Sequence, residues 1–155
     1  MHKLTIIDLE NFIMEGEFER FKSPPKATLD INSIIRAAND YNTNHVKKGF
    51  AFGHLNDGFL LIPTDKGEKV DETQNAPAFM VVDVEWNSAK KGIVGKIMIL
   101  DTPDGLKIKE SVQKGMHCYI SGSETTAGVT VDKDSGRRIY RVMDLQGYKL
   151  SILDY

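Results

Sequence analysis

The chain has 155 residues and a formal net charge of -2, from 20 Lys and Arg against 22 Asp and Glu. This length suits one domain with its own core, spanning residues 1–155. The near balance of charge does not favour a partner such as nucleic acid or an anionic membrane, and neither is expected. No run approaches the ~20 apolar residues that a membrane-spanning helix needs.

The cysteine content and the N-terminal residues indicate the cellular compartment. Cys118 is the single cysteine, so no intrachain disulfide can form, and its apolar neighbours predict a buried, unreactive thiol. Asp8 comes too early for the apolar region of a signal peptide. We therefore expect a protein of the reducing cytoplasm, or of a particle that is assembled there.

Two segments have helical character. Apolar residues at spacings of three and four predict a helix from about Asn32 to Tyr41, with Asp30 or Asn32 as its cap. A second helix is predicted from about Pro103 to Lys114, because Thr102 can cap it, proline suits its first position and a glycine follows its end.

Most of the remaining chain predicts short strands that are rich in β-branched residues and bounded by Gly, Asp, Asn and Ser. The turn Asp134-Ser135-Gly136 predicts a hairpin, the polar stretch Thr64–Pro77 predicts an exposed loop, and the run Glu15–Glu19 is interpreted as a solvated face. The predicted strands are Leu4–Ile7, Phe59–Ile62, Phe79–Trp86, Ile93–Leu100, Met116–Ser121, Val129–Val131, Ile139–Asp144 and Tyr148–Leu153.

These elements predict an α+β fold that is mainly β: a compact barrel or mixed sheet with two or more peripheral helices. Regular alternation of strand and helix is absent, which argues against a doubly wound sheet. No cluster of His, Cys and carboxylates has the spacing of a metal site, and no glycine-rich phosphate loop is present. No cofactor is expected.

Four segments, in order, resemble the prohead proteases of tailed bacteriophages. They are the helix region 34–48, the segment Gly-Phe-Ala-Phe-Gly-His-Leu-Asn-Asp-Gly at 49–58, the helix start Leu-Asp-Thr-Pro-Asp-Gly at 100–105 and Lys-Gly-Met-His-Cys-Tyr-Ile-Ser at 114–121. The second is similar to the family's Gly-Glu-Leu-x-His-Pro motif and the last to its strand entering the nucleophile. The resemblance is strongest over residues 31–153, and it rests on the order of the set more than on any single motif.

The resemblance implies a compact β-barrel with surrounding helices, akin to the herpesvirus maturation protease. Members of the family cut scaffold and capsid proteins inside the immature head. It therefore implies capsid, scaffold or other head proteins as partners, with self-association left open, and a place in the prohead or virion assembled in the host cytoplasm.

The same resemblance assigns catalytic positions, and two of the three are altered. Ser121 stands at the nucleophile position, Phe79 at the histidine position and Lys149 at the aspartate position, with Asp144 and Asp154 as alternatives for the last. The family's Ser-Ser-Arg-Gly motif reads Ser-Gly-Ser-Glu here, so its arginine is missing and an acid follows. Phenylalanine cannot accept a proton, so no catalytic site is expected.

Another histidine could substitute only if the fold brings it to Ser121. His117 shares a strand with Ser121, but four residues separate them by roughly 13 Å. His54 comes from the other histidine motif and is the alternative base.

Three hypotheses follow for the function. The first is a head-assembly protein that keeps a protease-like fold for binding, without the catalytic His and Asp. The second is an active serine endopeptidase with a rearranged site that processes scaffold and capsid proteins. The third is a binding module with no tie to capsids, which absence of the protein from proheads and virions would favour.

Overall fold

The computed structural model of the chain describes residues 2–55, 76–122 and 125–154. Two α-helices lie among eleven short strands: α1 is Ile31–Tyr41, continued by a π-helical turn over Asn42–Val46, and α2 is Pro103–Gln113. None of the helices in these three ranges is long and apolar enough to cross a membrane.

Both helices begin as their sequences predict. The Asp30 side chain accepts a hydrogen bond from the Ser33 N–H at the start of α1, and Thr102 caps α2 in the same way through the Gly105 N–H. The Ser33 hydroxyl also accepts a bond of 3.0 Å from the Val142 N–H, which fastens α1 to the strand beneath it. Gly115, with a φ of 96°, ends the second helix.

The strands form one large and one small sheet. The large sheet has the order β1-β8-β11-β5-β6-β7-β3-β2, and the small sheet has the order β4-β10-β9. Their bounds are β1 His2–Lys3, β2 Thr5–Asp8, β3 Ile13–Arg20, β4 Ala27–Leu29, β5 Phe52–Leu55, β6 Phe79–Asn87, β7 Gly92–Ile99, β8 His117–Gly122, β9 Thr126–Val131, β10 Arg138–Asp144 and β11 Tyr148–Leu153.

The large sheet curls into a nearly closed barrel. Its two end strands, β1 and β2, are consecutive in the chain and only Leu4 separates them, so one bent N-terminal segment pairs with β8 on one side and β3 on the other. The Leu4 N–H, at the bend, donates to the Cys118 carbonyl at 2.8 Å. The barrel thereby protects most of the strand edges that an open sheet would expose.

The barrel interior holds the core. Fully buried side chains from the inner faces of the strands meet those of the two helices; the largest include Tyr41, Phe18, Phe79, Met14, Ile34, Ile93, Ile97, Ile108, Ile120 and Leu150. Helix α1 packs on β10 and β6, and α2 packs against β7, β8 and β11. Burial of this apolar surface is the main source of stability.

The predicted fold class, a mainly β barrel-like sheet with two helices, is confirmed. The hairpin at Gly136, which has a φ of 69°, and both helices are confirmed as well. The predicted strand Phe59–Ile62 and most of the predicted loop Thr64–Pro77 lie outside the described residues.

Four strands, β1, β3, β4 and β5, were not predicted. β3 contains the acidic run 15–19, whose alternation of acidic and apolar residues is typical of a strand.

Candidate functional site

Ser121, Lys149 and His54 lie side by side in a row across three neighbouring strands. Ser121 on β8 is the antiparallel partner of Lys149 on β11, and Lys149 is in turn the parallel partner of His54 on β5. Directly opposed residues in a sheet point to the same face. We call these three residues the outer row, because the neighbours of each along its strand are buried inside the barrel: Ile120, Leu150, Gly53 and Leu55.

The order within the outer row decides which side chains can meet. Neighbouring strands are about 4.8 Å apart, so Ser121 and His54 are separated by roughly 10 Å with Lys149 between them. Lysine is the member that can reach either neighbour. Within the described residues, none of the three side chains has a hydrogen bond or an ion pair.

Phe79 lies on the opposite side of the barrel wall. It is the antiparallel partner of Gly53, its side chain is 0% exposed, and a Cβ at Gly53 would overlap its ring. A side chain at position 79 of this backbone faces the core, whereas Ser121 faces outward. The structure therefore does not bring Phe79 and Ser121 together.

The remaining candidates from the sequence lie elsewhere. His117 is at the far end of β8, where it pairs with Leu153. Asp144 belongs to the small sheet and accepts a hydrogen bond from Gln146. Asp154 is exposed just beyond the end of β11.

A β-bulge in β3 puts an acid where the sequence did not predict one. Glu17 pairs with Val94 and Glu19 pairs with Ile93, so Phe18 is the extra residue and Glu19 turns to the inner side with the fully buried Ile93. Bulges re-aim side chains in this way. The interpretation of this run as a solvated face is therefore wrong for Glu19.

The Glu19 carboxylate lies against Gly122 and Thr125. It accepts a hydrogen bond of 2.7 Å from the Thr125 hydroxyl, and it packs so closely against Gly122 that a Cβ there would overlap it. Burial raises the pKa of Glu19, and the hydrogen bonds offset only part of that rise.

Tyr148 completes this buried polar group. Its hydroxyl is buried and makes no hydrogen bond of good geometry, yet it lies near enough to Glu19 for the two to influence each other. Burial is the main reason that the pKa of Tyr148 lies well above 10.0, and the Glu19 charge adds to the rise.

Glu17, two residues away, has the opposite environment. Arg20 donates to it at 2.6 Å, and Lys90 and His2 lie within 3.5 Å and 3.6 Å. The hydrogen bond from Arg20 is the main cause that lowers the pKa of Glu17 to about 2. The nearby basic residues therefore lie against Glu17 and leave Glu19 without an ion-pair partner among the described residues.

The chemistry of this region is that of a hydroxyl beside an amine, with a buried acid below. A serine nucleophile needs a base within hydrogen-bond reach and donors aimed at the developing oxyanion. Lys149 is the nearest candidate base, whereas the Glu19 carboxyl adds negative charge behind Gly122, which opposes an oxyanion. Within the described ranges, no group of three His, Cys, Asp or Glu could hold a metal ion.

The one cysteine takes no part in this region. Cys118 is 1% exposed on the inner face of β8, and burial raises the pKa of its thiol to about 12. The prediction of a buried thiol is confirmed.

Comparison with known proteins identifies a similar fold. No family model matches the chain, and no curated protein matches it. Among solved structures, the chain is similar to the bacteriophage T4 capsid assembly protease, gp21, with a TM-score of 0.53 and 17% sequence identity over 90% of this chain and 80% of that one. The chain thus has a prohead-protease-like fold, as its motifs predicted.

Sequence reasoning identified the members of the outer row but not their arrangement, and it missed Glu19 and His2. The only signal for Glu19 was the alternation in residues 13–20, which reveals a strand but not its bulge. No sequence signal indicated His2, which lines the same pocket as Ser121.

Proposed function

We propose that this chain is a phage head-assembly protein that uses a prohead-protease-like fold to bind capsid or scaffold proteins without hydrolysing them. The observation that carries the proposal is the outer row, in which an amine, not an imidazole, is the neighbour of Ser121. A protonated amine cannot accept the serine proton, and lysine becomes a base only where burial or nearby cations remove its own proton. Lys149 lies on the partly exposed outer face.

Two further features support loss of hydrolysis. Phe79, at the family's histidine position, fills the core, and aromatic burial there stabilises the barrel instead of serving a reaction. The Glu19 carboxyl lies against Gly122, behind the segment from which oxyanion donors would come. The proposal requires no cofactor, and it locates the chain in the prohead or virion.

The test is incubation of the purified chain with the capsid and scaffold proteins encoded beside it, followed by sedimentation and gel electrophoresis. We expect co-sedimentation without new fragments. Ser121→Ala serves as the matched control and should bind equally well. Cleavage that disappears in Ser121→Ala would refute the proposal, and absence of the chain from both proheads and virions would refute its place in the head.

The outer row also favours a second candidate, an active serine endopeptidase with a rearranged site. Serine–lysine pairs replace the usual triad in some unrelated proteases. Here the Ser121 hydroxyl would attack the peptide carbonyl while a neutral Lys149 takes its proton and then passes it to the leaving amine. Water would hydrolyse the resulting ester and restore the hydroxyl, with His54 on the far side of Lys149 as the orienting group.

A fluorophosphonate probe distinguishes the two candidates. An active site predicts stoichiometric labelling of Ser121 that increases with pH, as Lys149 loses its proton, and that is lost in Lys149→Met. The binding proposal predicts no labelling above that of Ser121→Ala. His54→Ala tests the histidine. Slower labelling of this variant would indicate that His54 orients Lys149, and unchanged labelling would indicate that it does not.

A further inference from the structure

A pocket of about 340 Å³ opens beside Ser121 at the mouth of the barrel. It lies near the small end of the range of roughly 300–1,000 Å³ that is typical of ligand pockets. Residues of strands β1, β3 and β8 form its walls together with Thr125, which directly precedes β9; the lining residues are His2, Phe18, Glu19, Arg20, Ser121, Gly122 and Thr125.

The charges around this pocket are not balanced. Glu19 has no ion-pair partner among the described residues, although an unpaired buried carboxylate is costly. The two basic residues of the rim, His2 and Arg20, instead lie against Glu17 at 3.6 Å and 2.6 Å, and burial lowers the pKa of His2, which leaves Arg20 as the cation of the rim. Among the described residues, Tyr148 is the other titratable group beside Glu19, with Tyr41 packed against Tyr148, and neither tyrosine can supply positive charge.

Polar groups beside the pocket also retain unused hydrogen-bonding capacity. The Thr125 hydroxyl occupies Oε1 of Glu19, and the buried Tyr148 hydroxyl has no partner of good geometry. The Glu19 carboxylate packs against Gly122, where a Cβ would overlap it, and both residues line the pocket. An acid that is desolvated, unpaired and open to a cleft is typical of a binding residue.

We propose that this pocket is a subsite for a primary ammonium or guanidinium group, carried by a lysine or arginine side chain of a bound protein, with Glu19 as its counter-ion. The inference rests on the proposed function only in taking the ligand to be part of a protein. The ligand's main chain would lie along Ser121 and its basic side chain would enter beside Gly122. Specificity would come from leaving Glu19 unpaired whenever the entering side chain is neutral.

The probe is Nα-acetyl-lysine methylamide, with the norleucine analogue as a neutral match of similar length. Binding is followed by the NMR shifts of the Gly122 and Thr125 amides in the full chain. We expect saturable shifts with the lysine probe and at least about tenfold weaker binding of the norleucine probe, equivalent to ~1.4 kcal/mol. Affinity should rise with pH, because an ammonium group displaces the proton that burial helps Glu19 to keep.

Variants at positions 19 and 17 test whether Glu19 is the counter-ion. Glu19→Gln should remove the preference for lysine, whereas Glu17→Gln, which alters a neighbouring acid that does not line this pocket, should keep it. Equal binding of both probes by the wild type, no saturable shift, or an unchanged lysine preference in Glu19→Gln would each overturn the proposal. If Glu19→Gln does not fold, Glu19→Asp replaces it: a shortened carboxylate should still prefer lysine but bind more weakly, and unaltered affinity would count against Glu19.

The outcome is separable from that of the proposed function. A chain that co-sediments with head proteins but binds neither probe has the binding function without this subsite. A lysine-selective pocket in a chain that is absent from proheads has the subsite without the head-assembly function.

Discussion

The inner wall of the barrel at Phe79 and its outer wall at Ser121 have opposite character. Phe79 is fully buried against Gly53 in the apolar core. Ser121 stands on the outer face beside Lys149, at the edge of a pocket with charged walls. Strand periodicity explains the difference, since alternate residues point to opposite faces. The two positions that the resemblance assigned to one site therefore do not share a surface in this chain.

The strongest test of the inner region is Phe79→Ala. Removal of a buried aromatic ring leaves a cavity, and we expect a loss of about 3–5 kcal/mol in the free energy of unfolding. Denaturant titration measures it, with the exposed Phe52→Ala as control. A loss below about 1 kcal/mol would mean that the ring is not a core element. Phe79→His tests the comparison directly: it should destabilise the chain without creating activity at Ser121.

Gly53→Ala examines the contact between Phe79 and the neighbouring strand. The added methyl group would overlap the ring, and overpacking of a core costs about 1–3 kcal/mol. The double variant with Phe79→Leu should recover part of this loss, because the smaller side chain leaves room for the methyl group. Strictly additive losses in the double-mutant cycle would contradict direct contact.

Glu19→Gln tests the region beneath Ser121 through the pH dependence of stability. Because burial raises the pKa of Glu19 above its usual 4.5, the folded chain holds this proton more tightly than the unfolded chain. Its contribution to stability is full below about 4.5 and is lost as pH rises through the raised pKa. The variant should therefore lack this loss, which thermal melts from acid to neutral pH would detect.

Glu17→Gln is the matched control and has the opposite sign. The pKa of Glu17 is lowered to about 2, so its contribution is present above about 4.5 and is lost as pH falls towards 2. Relative to the wild type, Glu17→Gln should therefore be less stable at neutral pH, and this difference should disappear as pH falls towards 2. The same slope in both variants would mean that Glu19 is not buried as described.

The smallest effects are expected on the outer face. Ser121→Ala and Lys149→Ala remove side chains that have no hydrogen bond or ion pair within the described residues, and each should change stability by no more than about 0.5 kcal/mol. Thermal melts of the two variants beside Phe79→Ala make the comparison between the faces quantitative. A loss above about 2 kcal/mol at Lys149 would show that the outer row is part of the packed structure.

The sequence predicted the elements better than it predicted the site. Helix caps at Asp30 and Thr102 and alternating apolar residues are local signals, so both helices and most strands were found. β3 was missed because its acids outweighed the alternation of its apolar residues. The bulge at Phe18 has no local signal of its own, since it depends on the pairing with β7, and so the burial of Glu19 was missed as well.

By itself, the sequence determined the class of fold, the helix boundaries and the chemical identities at positions 79, 121 and 149. Those are consequences of periodicity, capping and residue type, which act over a few neighbouring residues. Only the tertiary structure decided that Ser121, Lys149 and His54 form one row, that Phe79 faces away from it and that Glu19 lies beneath it. The face on which a side chain lies, and the residues beside it, depend on strand order and register. Pairing between segments that are distant in the sequence sets both.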